Sequence, residues 1–202
     1  MELNERDRSI ARLAVPALGT LAVEPLYVLV DTAIVGRLGT VPLGGLAVAS
    51  AVLGTVLPVC NFLAYGTTAR VAFLTGRGDR QGAASVAAQG LWLCALIGVP
   101  LALGLSAGTG PVVRLVGGEG EIAEAARTYL LISCIGIPAV LVALVGHGYL
   151  RGVADTRTPL LISLAANGAN LVLEVVLVYG FDLGVAGSAW GTVVAQAGAA
   201  LA

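Results

Sequence analysis

Lysine is absent from the 202 residues, and only 11% of them are charged. A water-soluble domain carries about 25% charged residues, so this chain is not built to be surrounded by water. All eleven basic residues are arginines, and the net charge is −1. That balance excludes the broad cationic face that nucleic acid requires. Histidine occurs once, and Cys60, Cys94 and Cys134 each fall singly in an apolar run. Without paired zinc-type spacing these cysteines read as small core hydrophobes. No nucleophile stands in a pattern with a base, and no metal motif occurs, so an enzyme is the least supported class. Nothing alternates as strands do, which argues against a barrel. The opening MELNERDRSIAR has as many acids as bases. The apolar segment after it is too long for a signal core and shows no clear cleavage site, so no cleaved signal peptide is expected.

What the chain does have is apolar length: 57% of it is hydrophobic. A span needs about 20 mostly apolar residues. Six candidates result: 13–34, 44–66, 83–107, 126–149, 158–180 and 184–202. The expected fold is therefore an all-α membrane protein with six transmembrane helices, one unit over 1–202. The connections hold the punctuation, as in RLGTVP, TGRGDRQG, RGVADTRTP and GFDLG. The third connection is the longest, and TGPVVRLVGGEGEIAEAAR within it is expected to hold a short surface helix. Residue 202 falls inside the sixth apolar run. The expectation is that this helix is truncated and that the chain is a piece of a longer protein.

Arginine placement orients the spans. Arg6, Arg8, Arg12, Arg70, Arg77, Arg80, Arg151 and Arg157 fall on one side, and Arg37, Arg114 and Arg127 on the other. Basic loops stay in the cytoplasm. The expected location is the cell membrane, multi-pass, with the N-terminus cytoplasmic.

Ionisable residues within spans cost about 2.5–3.5 kcal/mol on insertion scales and mark function by default. VEPLYVLVD in the first span carries Glu24 and Asp31, seven residues apart on one helical face. In span five, Asn167, Asn170 and Glu174 share a face. In span six, Ser188, Thr192 and Gln196 repeat every four residues. The topology alone puts Asp31, Asn170, Glu174 and Thr192 at similar depth in the outer half. Two carboxyls, an amide and a hydroxyl are hard oxygen ligands, suited to a proton or a sodium ion. Tyr27 and Trp190 are candidates to line a cavity, although membrane aromatics are mostly packing groups. His147, in GHGYLRG, reads as an interfacial histidine. Pro16 and Pro25 lie on either side of the first span's middle and mark it as a helix that can bend. The 28 glycines fit close helix packing.

The stretches PLYVLVDTAIVGRLGTVPLGGLAVA, AYGTTARVAFLTGRGDRQGA, YLRGVADTRTPLLIS and NLVLEVVLVYGFDLGVAGSAWGT, in that order, resemble the multidrug and toxic compound extrusion (MATE) transporters. The similarity points to the branch of the DNA-damage-inducible protein F type. It covers essentially the whole chain, but only the first six spans of a family with twelve in two six-helix lobes. The resemblance implies cation-coupled efflux of small organic, often cationic, compounds, with the C-terminal lobe as the missing partner. It implies no cofactor and no metal other than a coupling ion, H⁺ or Na⁺. Residue by residue, it places Asp31, Asn170, Glu174 and Thr192 in the cation site of the N-terminal lobe and the bend of span one at Pro16. Glu174 departs from the aspartate often found there, which leaves proton exchange intact and puts sodium geometry in doubt. Glu24 lies outside the core motif and is expected to relay the cation or face the substrate cavity. Tyr27, Asn167 and Ser188 are expected nearby, with Pro25 as a second hinge. Two other readings stand beside this one. A lipid-linked oligosaccharide flippase of related fold should show a cationic cavity, whereas the intramembrane charges here are acidic. A non-transporting membrane fragment is the third.

Overall fold

The structure is a computed structural model, and it describes residues 14, 18, 25, 26 and 28–202. The expectations for Pro16, Glu24 and Tyr27 lie outside the described residues. Helix α1 comprises residues 28–36, followed by α2 (Thr40–Val56), a 3₁₀ segment (Leu57–Asn61), α3 (Phe62–Gly76), α4 (Arg80–Leu115), α5 (Gly120–Gly152) and α6 (Arg157–Val175). A π-helical turn (Val176–Gly180) then leads into α7 (Gly184–Leu201). No strand occurs among the described residues.

Thr40–Gly76, Arg80–Leu115, Gly120–Gly152 and Arg157–Gly180 are each long and apolar enough to cross a membrane. Their outward faces agree with that length: Trp92, Leu96 and Leu103 on α4 are 78%, 70% and 66% exposed. An apolar surface of this extent has lipid as its solvent. The protein is an all-α membrane protein.

The helical stretches over the second to fourth spans are longer than expected, and the first four connections shorter. The second expected span, 44–66, is the middle of a 37-residue helical stretch. That stretch is interrupted where Pro58 removes a backbone donor and the chain tightens to 3₁₀. The third connection holds no separate surface helix. Residues 109–115 belong to α4, residues 120–127 to α5, and only 116–119 lie outside a helix. The helices continue because their buried faces do: Val113 and Ala126 are fully buried. With 36 residues, α4 is about 54 Å long at ~1.5 Å per residue. It therefore overruns a hydrocarbon core of about 30 Å, and span-length windows cut it short.

Helix α5 is the central post, packed against α2, α3, α4 and α7. Close approach depends on small residues. A Cβ at Gly148 would stand 2.7 Å from the Ala64 carbonyl oxygen of α3. The Thr68 hydroxyl donates across the same seam to Gly148 O at 3.0 Å. At the α6 end, Asp155 Oδ1 accepts from the Arg157 and Thr158 amides at 3.0 Å each. This satisfies donors that the first helical turn leaves free.

Candidate functional site

The site forms where α6 turns into α7. Helix α6 ends in the π-helical turn, and three residues later α7 runs back along it. Single π-turns inside helices are frequent at functional sites. Gly187 and Gly191, four apart, form the seam. A Cβ at Gly187 would lie 2.8 Å from the Leu177 carbonyl carbon, and one at Gly191 would lie 3.3 Å from Glu174 N. At Gly187 only glycine permits that approach, and the close seam carries the neighbouring Ser188 and Thr192 onto α6 and α1.

Four polar side chains are then buried together. Asp31 is 6% exposed, Asn170 2%, Glu174 1% and Ser188 not at all. The Ser188 hydroxyl donates to Asp31 Oδ1 at 2.8 Å. Asn170 Nδ2 donates to Thr192 Oγ1 at 3.1 Å, and the Thr192 hydroxyl donates to Ser188 O at 3.1 Å. The Glu174 carboxyl is close to that of Asp31 and to the Ser188 hydroxyl. Neither of its oxygens makes a hydrogen bond among the described residues. The C-terminal end of α1 is fixed nearby by Tyr179, whose phenol donates to Ile34 O at 2.7 Å.

Two ionised carboxylates in contact and out of water repel strongly, so such a pair holds at least one proton or a cation between them. A buried carboxyl without donors is costly as an anion. The arrangement can therefore load and unload one positive charge.

Asp31, Asn170, Glu174, Ser188 and Thr192 come together. Asn167 does not join the carboxyls. Its Nδ2 donates to Ser163 O at 2.9 Å, and it lines a cavity of about 200 Å³ between α5, α6 and α7. His147, read as interfacial, lines the same cavity. The reason is its position on α5, which has neighbours on nearly every face. Pro25 is helical and exposed. Trp190 lies outside this cavity's lining and is 40% exposed. Glu24 and Tyr27 lie outside the described residues. One neighbour escaped the sequence reading: Tyr129 on α5, 4% exposed. Its phenol faces the Thr192 and Ser188 hydroxyls and is close to both carboxyls. The available signal was a polar-tipped aromatic in an apolar run, at a depth matching Asp31.

The MatE family profile matches residues 16–176. The chain is 34% identical to DNA damage-inducible protein F of Escherichia coli over 96% of its own length and 42% of that protein. It is 28% identical to the probable multidrug resistance protein NorM of Thermotoga maritima, over 96% of this chain and 43% of that one. Among solved structures, a MATE chain in the bent conformation superposes with a TM-score of 0.90 at 28% identity, covering 98% of this chain and 44% of that one. An outward-facing multidrug resistance MATE transporter of the MOP superfamily gives 0.88 at 29% identity, over 95% and 43%. The chain thus spans about two fifths of the length of the relatives it matches. With the profile covering most of the chain and the helical arrangement shared throughout, the chain belongs to the MatE family.

Proposed function

We propose that residues 1–202 form the N-terminal six-helix lobe of a secondary active transporter. It exports small organic, often cationic, compounds in exchange for a cation, and a C-terminal lobe supplies the facing wall of the substrate cavity. The observation that carries this reading is the burial of Asp31 and Glu174 close together, with Ser188 and Asn170 buried beside them and Thr192 bonded to Asn170. The relatives' names speak of multidrug resistance, and the chain's share of their length matches one lobe of two.

The proton is the coupling ion that fits best. Glu174 has no hydrogen-bond partner among the described residues, and a protonated carboxyl tolerates that state far better than an anion does. Asp31 sits three residues from Ile34, where Tyr179 holds the α1 backbone. A charge change at Asp31 therefore acts on α1 on the N-terminal side of a fixed point. Protonation removes a charge and rearranges the Ser188 bond; α1 bends, and the cavity closes to substrate. Alternating exposure of a fixed site by moving helices is the general logic of such carriers. The arginine distribution supports an N-terminus in the cytoplasm.

The test is efflux of a cationic dye by the full-length protein in liposomes, driven by an imposed proton gradient or, separately, by a sodium gradient. A proton gradient should drive efflux, and Asp31→Asn should abolish it with normal membrane insertion. Efflux driven by sodium alone would move the coupling ion to Na⁺. Equal efflux by Asp31→Asn would remove Asp31 from the mechanism.

A further inference from the structure

The cavity between α5, α6 and α7 touches the carboxyl cluster at Asn170 and Thr192 and extends inward past Asn167, Gln196 and Ser163 to His147. From Asn170 to Ser163 is seven residues of α6, about 10 Å along the helix. The volume of about 200 Å³ is below the ~300 Å³ at which drug-sized pockets begin. It has room for about seven waters at ~30 Å³ each. All three walls contribute groups that hydrogen-bond water. His147 closes the inner end, and its Nε2 is buried with no hydrogen-bond partner among the described residues. The imidazole also lines a second cavity of about 270 Å³, shared with Ala87, Leu91 and Tyr149. It therefore stands between a space that reaches Asn170 and Thr192, the hydrogen-bonded neighbours of the carboxyl pair, and a space near the arginine-rich end of the bundle. The titratable or charged groups around it are Arg151, one turn on along α5, and Tyr149. Helices α6 and α7 present Ser163, Asn167 and Gln196, and α4 presents only Ala87 and Leu91.

We propose that this cavity is the inward proton path of the lobe and that His147 is its relay. A proton released by the carboxyl pair is carried as a protonated water in the first cavity and passes to one ring nitrogen, leaving neutral water, and the imidazolium releases the proton on the other nitrogen to water in the second cavity. The ring returns to its first tautomer by flipping, so one proton crosses and no bond is otherwise changed. This inference rests on the proton-antiport reading. His147 is a positioning and relay residue and not part of the cation site, so its loss changes the rate of proton exchange and not the amount bound.

The experiment uses the full-length protein oriented uniformly in liposomes, with a pH jump applied at its N-terminal face. Infrared absorption of the protonated carboxyl is followed in time and assigned by its loss in Asp31→Asn. His147→Ala should slow the response by about tenfold or more, as expected for a lost proton-transfer group, and leave the final amplitude unchanged. Added imidazole, small enough for the vacated space, should restore the rate. His147→Gln keeps hydrogen bonding without proton exchange; it should be as slow as His147→Ala, and imidazole should not rescue it. A wild-type rate in either variant would overturn the relay. So would a slow His147→Ala that imidazole leaves unchanged, since that marks a structural role. A wild type with no carboxyl response at all would instead defeat the antiport reading beneath it.

Discussion

Gly187→Ala puts a methyl group where α7 and α6 have no room for one. The added Cβ would stand 2.8 Å from the Leu177 carbonyl carbon and 2.9 Å from its oxygen and from Val178 N. These are backbone atoms and have no rotamer to retreat into. Restoring ordinary contact requires the helices to part by roughly 0.5–1 Å, and overpacking of this kind costs about 1–3 kcal/mol. At ~2–4 °C per kcal/mol for a unit of this size, the melting temperature should fall by about 2–12 °C. Activity should fall further than stability. The Ser188–Asp31 bond of 2.8 Å joins α7, which the added methyl displaces, to α1, and a bond lengthened by that amount leaves hydrogen-bonding range. The control is Gly168→Ala on α6, where an added Cβ meets nothing within 4 Å. There the better helix former should be neutral or stabilise by up to about 1 kcal/mol. Gly191→Ala, with contacts of 3.3 Å and 3.4 Å, should fall between the two. The assay is thermal unfolding in detergent, paired with dye efflux from liposomes. Matching melting temperatures and efflux for Gly187→Ala and Gly168→Ala would refute the close-packed seam as the device that assembles the site.

Thr68→Val should lower stability by about 0.6 kcal/mol, the typical worth of an interhelical hydrogen bond in a membrane, because it removes the donor to Gly148 O; unfolding in detergent against urea reads this. Asp155→Ala removes the acceptor for two α6 amides and the Thr158 hydroxyl, at a cost of about 0.5–1 kcal/mol, the lower part of the capping range. The Thr158 hydroxyl and amide hold the Asp155 carboxyl below the usual carboxylate range. Its contribution is therefore complete above the unfolded value near ~3.9 and lost as pH falls through the folded one, so the deficit of Asp155→Ala should vanish in strong acid. Arg77→Cys, at an exposed connection, should react with a membrane-impermeant thiol reagent only from the cytoplasm; reaction from outside would reverse the orientation. Glu174→Gln should move the pH optimum of efflux toward acid by removing one of two like charges, and an unchanged optimum at good expression would separate the two carboxyls functionally.

The helical fold was legible because apolar length and sparse charge leave a membrane helix few alternatives. The gathering of Asp31, Glu174, Asn170 and Thr192 was legible for a related reason: polar groups at one depth in lipid seek one another. Helix ends were less visible, since nothing in TGPVVRL marks where a helix leaves the hydrocarbon while its inner face stays packed. Tyr129 and His147 were missed as neighbours of polar groups because their surroundings are made by other helices, and a single-helix pattern carries no record of what packs opposite. The π-turn at Val176–Gly180 is also invisible in composition, since VLVYG reads as ordinary span.

Proton release on substrate binding bears most directly on the central claim, that Asp31 and Glu174 form one exchangeable site. The full-length protein in weakly buffered detergent solution is mixed with a cationic dye, and the released protons are counted with a pH indicator. Wild type should release about one proton per bound dye near neutral pH, as one shared proton leaves the pair, and Asp31→Asn, still binding dye, should release none. The same release from Asp31→Asn as from wild type would contradict the claim.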